Sequence, residues 1–185
     1  MKPKSNKKLT IESKSERETI KIGKRIGEAL PPGAVVALIG ELGSGKTRFV
    51  KGLAAGLGFA DSSAVTSPTF KMLNVYDGRV KIYHVDAYRI FNRKTLEENY
   101  SDLYIDEASD SGGVVAVEWA DRLKPLLKPG LEIEFEISGT RTRKLVLSGR
   151  LSGRIRAGIE KPRPKTSGPS RTQRRKKIGE RSRNA

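Results

Sequence analysis

Three features of the chain have the residue types and spacing to do chemistry. The first is GELGSGKT, Gly40 to Thr47, which satisfies the pattern GxxxxGK[ST]. Three glycines in eight residues cost ordering entropy, and a simple turn needs fewer. The cost is offset if the loop wraps bare backbone N–H groups around phosphate oxygens at the start of a helix, where unpaired amides and the helix dipole favour an anion. The loop from Glu41, Leu42, Gly43, Ser44 and Gly45 through Lys46 and Thr47 to Arg48 is therefore the expected nucleotide contact. Lys46 is expected to reach the β and γ phosphates as a mobile cation, and the Thr47 hydroxyl to ligate Mg²⁺. The second and third features are single acids. Asp86 closes the run IYHVD and Glu118 closes VVAVE, and the ends of apolar strands are where such sheets place their ligand crevice. Asp86 is the expected metal ligand, directly or through water; Glu118 is expected to bind Mg²⁺ or to activate an attacking water. The sequence leaves that division open.

These residues need elements to position them. Ser15 followed by Glu18 has the spacing of a capping box, and Ile22, Ile26 and Leu30 recur at helical spacing until Pro31 and Pro32 stop the helix. AVVALIG, residues 34–40, reads as a strand buried on both faces. KTRFVKGLAAGLG reads as a helix with Phe49, Val50 and Leu53 inward and Gly58 as terminator. TFKMLNVY and RVKIYHVD predict an antiparallel pair joined around Asp77 and Gly78. TLEENYSDLYIDEAS is partly helical, VVAVEW is a strand, DRLKPLLK a brief helix or turn, and LEIEFEIS with RKLVLSG a final hairpin. Together they predict an α/β, P-loop NTPase-like three-layer domain with a mixed central sheet and antiparallel hairpins.

Other residues are less sharply marked. SPTF, residues 67–70, puts hydroxyls on a loop stiffened by Pro68. His84, the only histidine, shares a strand face with Ile82 and Asp86 and reads as structural rather than catalytic. Trp119, the only tryptophan, reads as core or pocket wall.

The net charge of +16 is not evenly spread: residues 1–8 carry +4 and residues 150–185 carry +11, so what lies between is almost neutral. Residues 1–9 are expected to be a basic disordered segment, residues 10–148 the folded domain, and residues 149–185 a basic disordered tail, because Gly, Pro, Ser and charge cannot bury enough apolar surface to offset ordering entropy. Such a tail can meet RNA by counterion release, although it has no aromatic residue for stacking on bases. The chain has no cysteine, which excludes disulfides and thiolate metal sites. With no secretory pattern and no long apolar window, it is expected to be cytoplasmic and free of the membrane.

Five ordered motifs, SERETIKIG, GELGSGKT, VTSPTF, HVDAYR and VEWADR, span about residues 10–148, and in this the chain resembles the TsaE family, the bacterial ATPase of tRNA N6-threonylcarbamoyladenosine biosynthesis. The resemblance implies ATP on the glycine loop and a switch near the γ-phosphate at Ser67 to Thr69. It also implies Mg²⁺ and hydrolysis roles for Asp86 and Glu118, with Trp119 beside them. It implies two protein partners, TsaD-like and TsaB-like, one of which carries the threonylcarbamoyl-transfer site, and tRNA met through that complex or the tail. It further implies an ATPase needed for repeated turnover rather than for making the modified base itself. The tail exceeds the usual family length. Two other readings compete: a small-molecule or nucleoside kinase, against which stands the lack of an arginine-rich lid segment, and a non-enzymatic RNA-binding assembly protein that works through its basic ends. A GTPase is disfavoured because no NKxD segment occurs.

Overall fold

The computed structural model describes residues 8–124 and 126–160. The elements, in chain order, are β1 (Leu9–Ser13), α1 (Glu16–Ala29), β2 (Val35–Ile39), α2 (Lys46–Gly56), β3 (Leu73–Asp77) and β4 (Lys81–Asp86). There follow α3 (Arg93–Asn99), α4 (Ile105–Asp110), β5 (Val114–Glu118), β6 (Leu131–Ile137), β7 (Arg143–Ser148) and α5 (Ser152–Glu160). The strands form one sheet in the order β1-β7-β6-β2-β5-β4-β3. β6, β2, β5 and β4 run parallel, while β1, β7 and β3 pair antiparallel with their neighbours. This is the expected mixed sheet.

Alternate residues of the central strands feed two separate cores. Val36, Leu38, Ile82, Val114, Ala116 and Ile133 face α1 and α2. Val35, Ala37, Val85, Val115 and Val117 face the opposite layer, built from Ile90, Leu96, Leu103, Ile105 and Leu123. A strand covered on both faces has no use for alternation, which is why VVALI and VVAVE are continuous apolar runs.

α1 begins where its cap predicts. Ser15 accepts from the Glu18 amide at 3.2 Å, while the Glu18 carboxylate reaches the Lys14 amide rather than that of Ser15. α1 then lies against α2 so closely that glycine is required at the contacts. A Cβ at Gly27 would fall 2.4 Å from the Leu53 carbonyl oxygen, and one at Gly52 would fall 2.0 Å from that of Ile20. The close approach carries the first turn of α1 up to the glycine loop.

Three expectations need correction. A strand, β1, precedes α1 and starts at Leu9, inside the segment expected to be disordered; its partner β7 lies 130 or more residues later in the chain, so the pairing has no local signal. β3 begins at Leu73 rather than Thr69, because residues 69–72 turn, with Met72 at φ +62° and its amide on the Pro68 carbonyl at 2.6 Å. Residues 152–160 of the expected tail form α5, whose Ile155 is fully buried in the α1–α2 core. Arg154 Nε donates to the Ala29 carbonyl at 3.0 Å, and Arg25 donates to the carbonyl of Ile159. The remainder of that tail, and residues 1–7, lie outside the described residues. No helix among the described residues is long and apolar enough to cross a membrane.

Candidate functional site

The loop between β2 and α2 is built around backbone conformations that only glycine adopts without strain: Gly43 has φ +76° and Gly45, the residue before α2, φ +102°. No side chain caps α2, so its first amides open onto a cavity of about 900 Å³. That is enough for a nucleotide, since ligand pockets run from about 300 to 1,000 Å³. A Cβ at Gly43 would meet nothing within 4 Å, so the loop leaves free space on its outer side.

Lys46 is only 4% exposed and folds back on its own loop. Its Nζ donates to the carbonyls of Gly40 at 2.6 Å and Glu41 at 2.8 Å and sits 4.0 Å from the centre of the Trp119 ring. Burial pulls its pKa below the ordinary lysine value of 10.5, opposed by the negative charges of Glu118, Asp86 and Asp121. The loop thus holds a desolvated cation whose present partners are neutral, a strong invitation to an anion.

Parallel pairing of β4 and β5 puts Asp86 directly opposite Glu118, and each is less than 4% exposed. Glu118 accepts from the Thr47 hydroxyl at 3.0 Å through Oε2 and contacts His84 Nε2 at 2.9 Å through Oε1. Asp86 accepts from the Ser67 hydroxyl and from Thr69 at 2.9 Å through Oδ2, and from the Tyr88 amide at 2.9 Å through Oδ1. The turn at residues 69–72 is what swings Ser67 and Thr69 onto Asp86. Among the described residues no group of three or more His, Cys, Asp or Glu could hold a metal by itself. An all-oxygen set of Thr47, Asp86 and Glu118 beside the glycine loop suits Mg²⁺, which keeps several waters and takes its other ligands from phosphates.

The predicted site residues therefore converge, with distinctions. Leu42, Gly43, Gly45, Lys46, Thr47, Arg48, Ser67, Thr69, Asp86, Glu118 and Trp119 all line the cavity. Glu41 lends its carbonyl to Lys46, and Ser44 is buried against it at 3.4 Å; neither lines the cavity. Arg48 points along its edge to Glu16 at 3.3 Å. Sequence reasoning did not find the far wall: Ser15, Arg17 and Thr19 at the start of α1, with Thr140, Arg141 and Arg143 at the β6–β7 turn. Arg143 donates to the Gly43 carbonyl at 3.0 Å, tying that hairpin to the loop. Nor did it find Arg122, which stacks 4.9 Å from both the Trp119 and Tyr88 rings and donates to the Tyr88 carbonyl. Trp119 itself has φ +58°, a conformation that aims its ring back over Lys46.

A parallel-centred sheet with a glycine loop leading into a helix, and acids at the ends of the two adjoining strands, defines an α/β domain of the P-loop NTPase kind. Residues 13–145 match the family model described as "Threonylcarbamoyl adenosine biosynthesis protein TsaE". The chain belongs to the TsaE family. It is 42% identical over 111 residues to the tRNA threonylcarbamoyladenosine biosynthesis protein TsaE of Treponema pallidum, covering 60% of this chain and 78% of that protein. It is 38% identical over 144 residues to the Bacillus subtilis protein of the same name, covering 72% of this chain and 86% of that one. Among solved structures, that of Bacillus subtilis YdiB superposes with a TM-score of 0.62 at 30% identity, covering 85% of this chain and 95% of that chain.

Proposed function

We propose that this protein takes part in tRNA threonylcarbamoyladenosine biosynthesis as a Mg²⁺-dependent ATPase, slow alone and stimulated by TsaD-like and TsaB-like partners of the same pathway. Family membership supports the pathway. The observation that carries the chemistry is the meeting of Lys46 and Thr47 of one loop with Asp86 and Glu118 from two neighbouring strand ends.

In this reading the phosphates enter against the first amides of α2 and draw Lys46 off the Gly40 and Glu41 carbonyls, exchanging neutral acceptors for anionic ones. Mg²⁺, held by Thr47, Asp86 and Glu118 directly or through water, would neutralise charge between the β and γ phosphates. Asp86 links the site to Ser67 and Thr69, so the loop that carries them reports on what occupies the γ-phosphate position. Glu118, on the Thr47 side, shares with Asp86 the task of orienting the attacking water. A transition-state group supplied by a partner accounts for a slow basal rate, as in other P-loop enzymes.

The deciding experiment is a steady-state ATPase assay of the chain alone, with the partner pair, and with partners plus tRNA. Magnesium-dependent hydrolysis that rises on adding partners is expected. No magnesium-dependent uptake of ATP by calorimetry, alone or in complex, would sink the reading; transfer of phosphate to a small acceptor would mark a kinase instead.

A further inference from the structure

Among the described residues, His84 is the one buried titratable group near the site to which the proposed chemistry gives no part, and its surroundings are specific. It is the only histidine in the chain. It is fully buried, and its Nε2 lies 2.9 Å from Glu118 Oε1. Its other ring nitrogen, Nδ1, has no hydrogen-bond partner among the described residues. β4 pairs His84 opposite Ala116, so a small side chain leaves the diagonal open from the ring to Glu118, two residues further along the same face of β5.

From this geometry we propose that His84 is a positioning residue for Glu118. Its Nε2–H holds Oε1 and so turns Oε2 toward Thr47 and the cavity. The proposal rests on the reading of Glu118 as part of a nucleotide site.

The tautomer follows from the contacts. Glu118 offers only acceptors when ionised, so an Nε2 lone pair facing Oε1 would be repulsive, and a proton on Nδ1 would be a stranded donor in an apolar layer. Hydrogen on Nε2 pairs the carboxylate and leaves at Nδ1 only a lone pair. The carboxylate is then held at both ends, by imidazole at Oε1 and by the Thr47 hydroxyl at Oε2. If Thr47 turns its hydroxyl toward a metal, Oε2 is released into the cavity while Oε1 stays fixed, so Glu118 arrives already oriented. An outer partner that orients a ligating or basic carboxylate acts in this way at many metal sites.

Because the chain has one histidine, its ring nitrogens give an unambiguous long-range ¹⁵N–¹H spectrum in the full-length protein. The expected result is a proton on Nε2 whose resonances move in Glu118→Gln; a bare Nε2, or a spectrum indifferent to Glu118→Gln, overturns the proposal. The second measurement compares His84→Leu with His84→Gln, whose side-chain amide restores an N–H near the position of Nε2. Calorimetry of ATP with and without Mg²⁺ is expected to show that His84→Leu loses about 10-fold or more of the affinity gained from the metal, with metal-free affinity unchanged, and that His84→Gln recovers most of it. A folded His84→Leu with the full Mg²⁺ gain, or a folded His84→Gln as impaired as His84→Leu, overturns the proposal. Should wild-type protein take up no ATP, the proposed function fails, while the ¹⁵N spectrum still decides the His84–Glu118 bond.

Discussion

Lys46 illustrates how a single side chain can be poised by what it lacks. Its ammonium is desolvated, yet its nearest partners are carbonyls and an indole face rather than an anion. Replacing it with alanine is expected to weaken ATP binding about 10- to 100-fold, the worth of a charge-assisted hydrogen bond, as read by calorimetry. A pH signature follows as well. Because burial lowers the folded-state pKa, the unfolded chain binds more protons between that lowered value and 10.5, so stability rises with pH in that window and the penalty is fully present below it. Denaturant midpoints of nucleotide-free protein should therefore show Lys46→Met more stable than wild type near neutral pH, the gap closing toward pH 10.5; a gap independent of pH counts against a buried ammonium. Asp86 makes a different contribution, since three donors fix it. Asp86→Asn should cut partner-stimulated turnover by about 100-fold while metal-free nucleotide affinity stays within about 3-fold, because the phosphate cradle lies on another element. Full steady-state hydrolysis in that variant would remove Asp86 from the site.

Among the elements, the α1–α2 pair decides where the far wall of the cavity stands. Gly23 and Gly27 on α1 and Gly52 and Gly56 on α2 let the two backbones touch, each with a Cβ position within 2.4 Å of a carbonyl oxygen of the other helix. Intrinsic propensity alone would make Gly52→Ala stabilising by about 1 kcal/mol. Contact with the Ile20 carbonyl reverses the sign, and a net loss of about 1–3 kcal/mol is expected from urea unfolding. Ser15, Arg17 and Thr19 should move with α1, so the variant is expected to weaken ATP binding also. The spacing of these glycines was visible in the chain, but glycine at four-residue intervals in a helix names no partner, and only the packed pair shows what each one touches.

For the molecule as a whole, charge and fold divide at a boundary different from the one composition indicates. α5 belongs to the domain: Ile155 completes the apolar layer, with Leu151 and Ile159 against it. Truncation after Glu160 removes ten of the thirteen basic residues beyond Gly149 and should leave both the thermal midpoint and nucleotide affinity unchanged. Truncation after Gly149 should cost about 2–5 kcal/mol through the exposed α1 surface, measured by thermal denaturation. Loss of function in the shorter form would therefore report on folding, and only the longer form tests what the basic residues do. The glycine loop, both strand-end acids and the three-layer class were readable in the chain because each depends on local pattern: a loop motif between a strand and a helix, and apolar runs ending in carboxylates; Ser67 and Thr69 were marked only by the family resemblance. Tertiary structure alone placed Asp86 opposite Glu118, set His84 behind that carboxylate, brought Arg143 from the last hairpin to Gly43 and paired Leu9 with Leu147. Those contacts join residues 32 to 138 positions apart, and a distance in space across such separations depends on strand register and helix packing, which no local window of sequence contains.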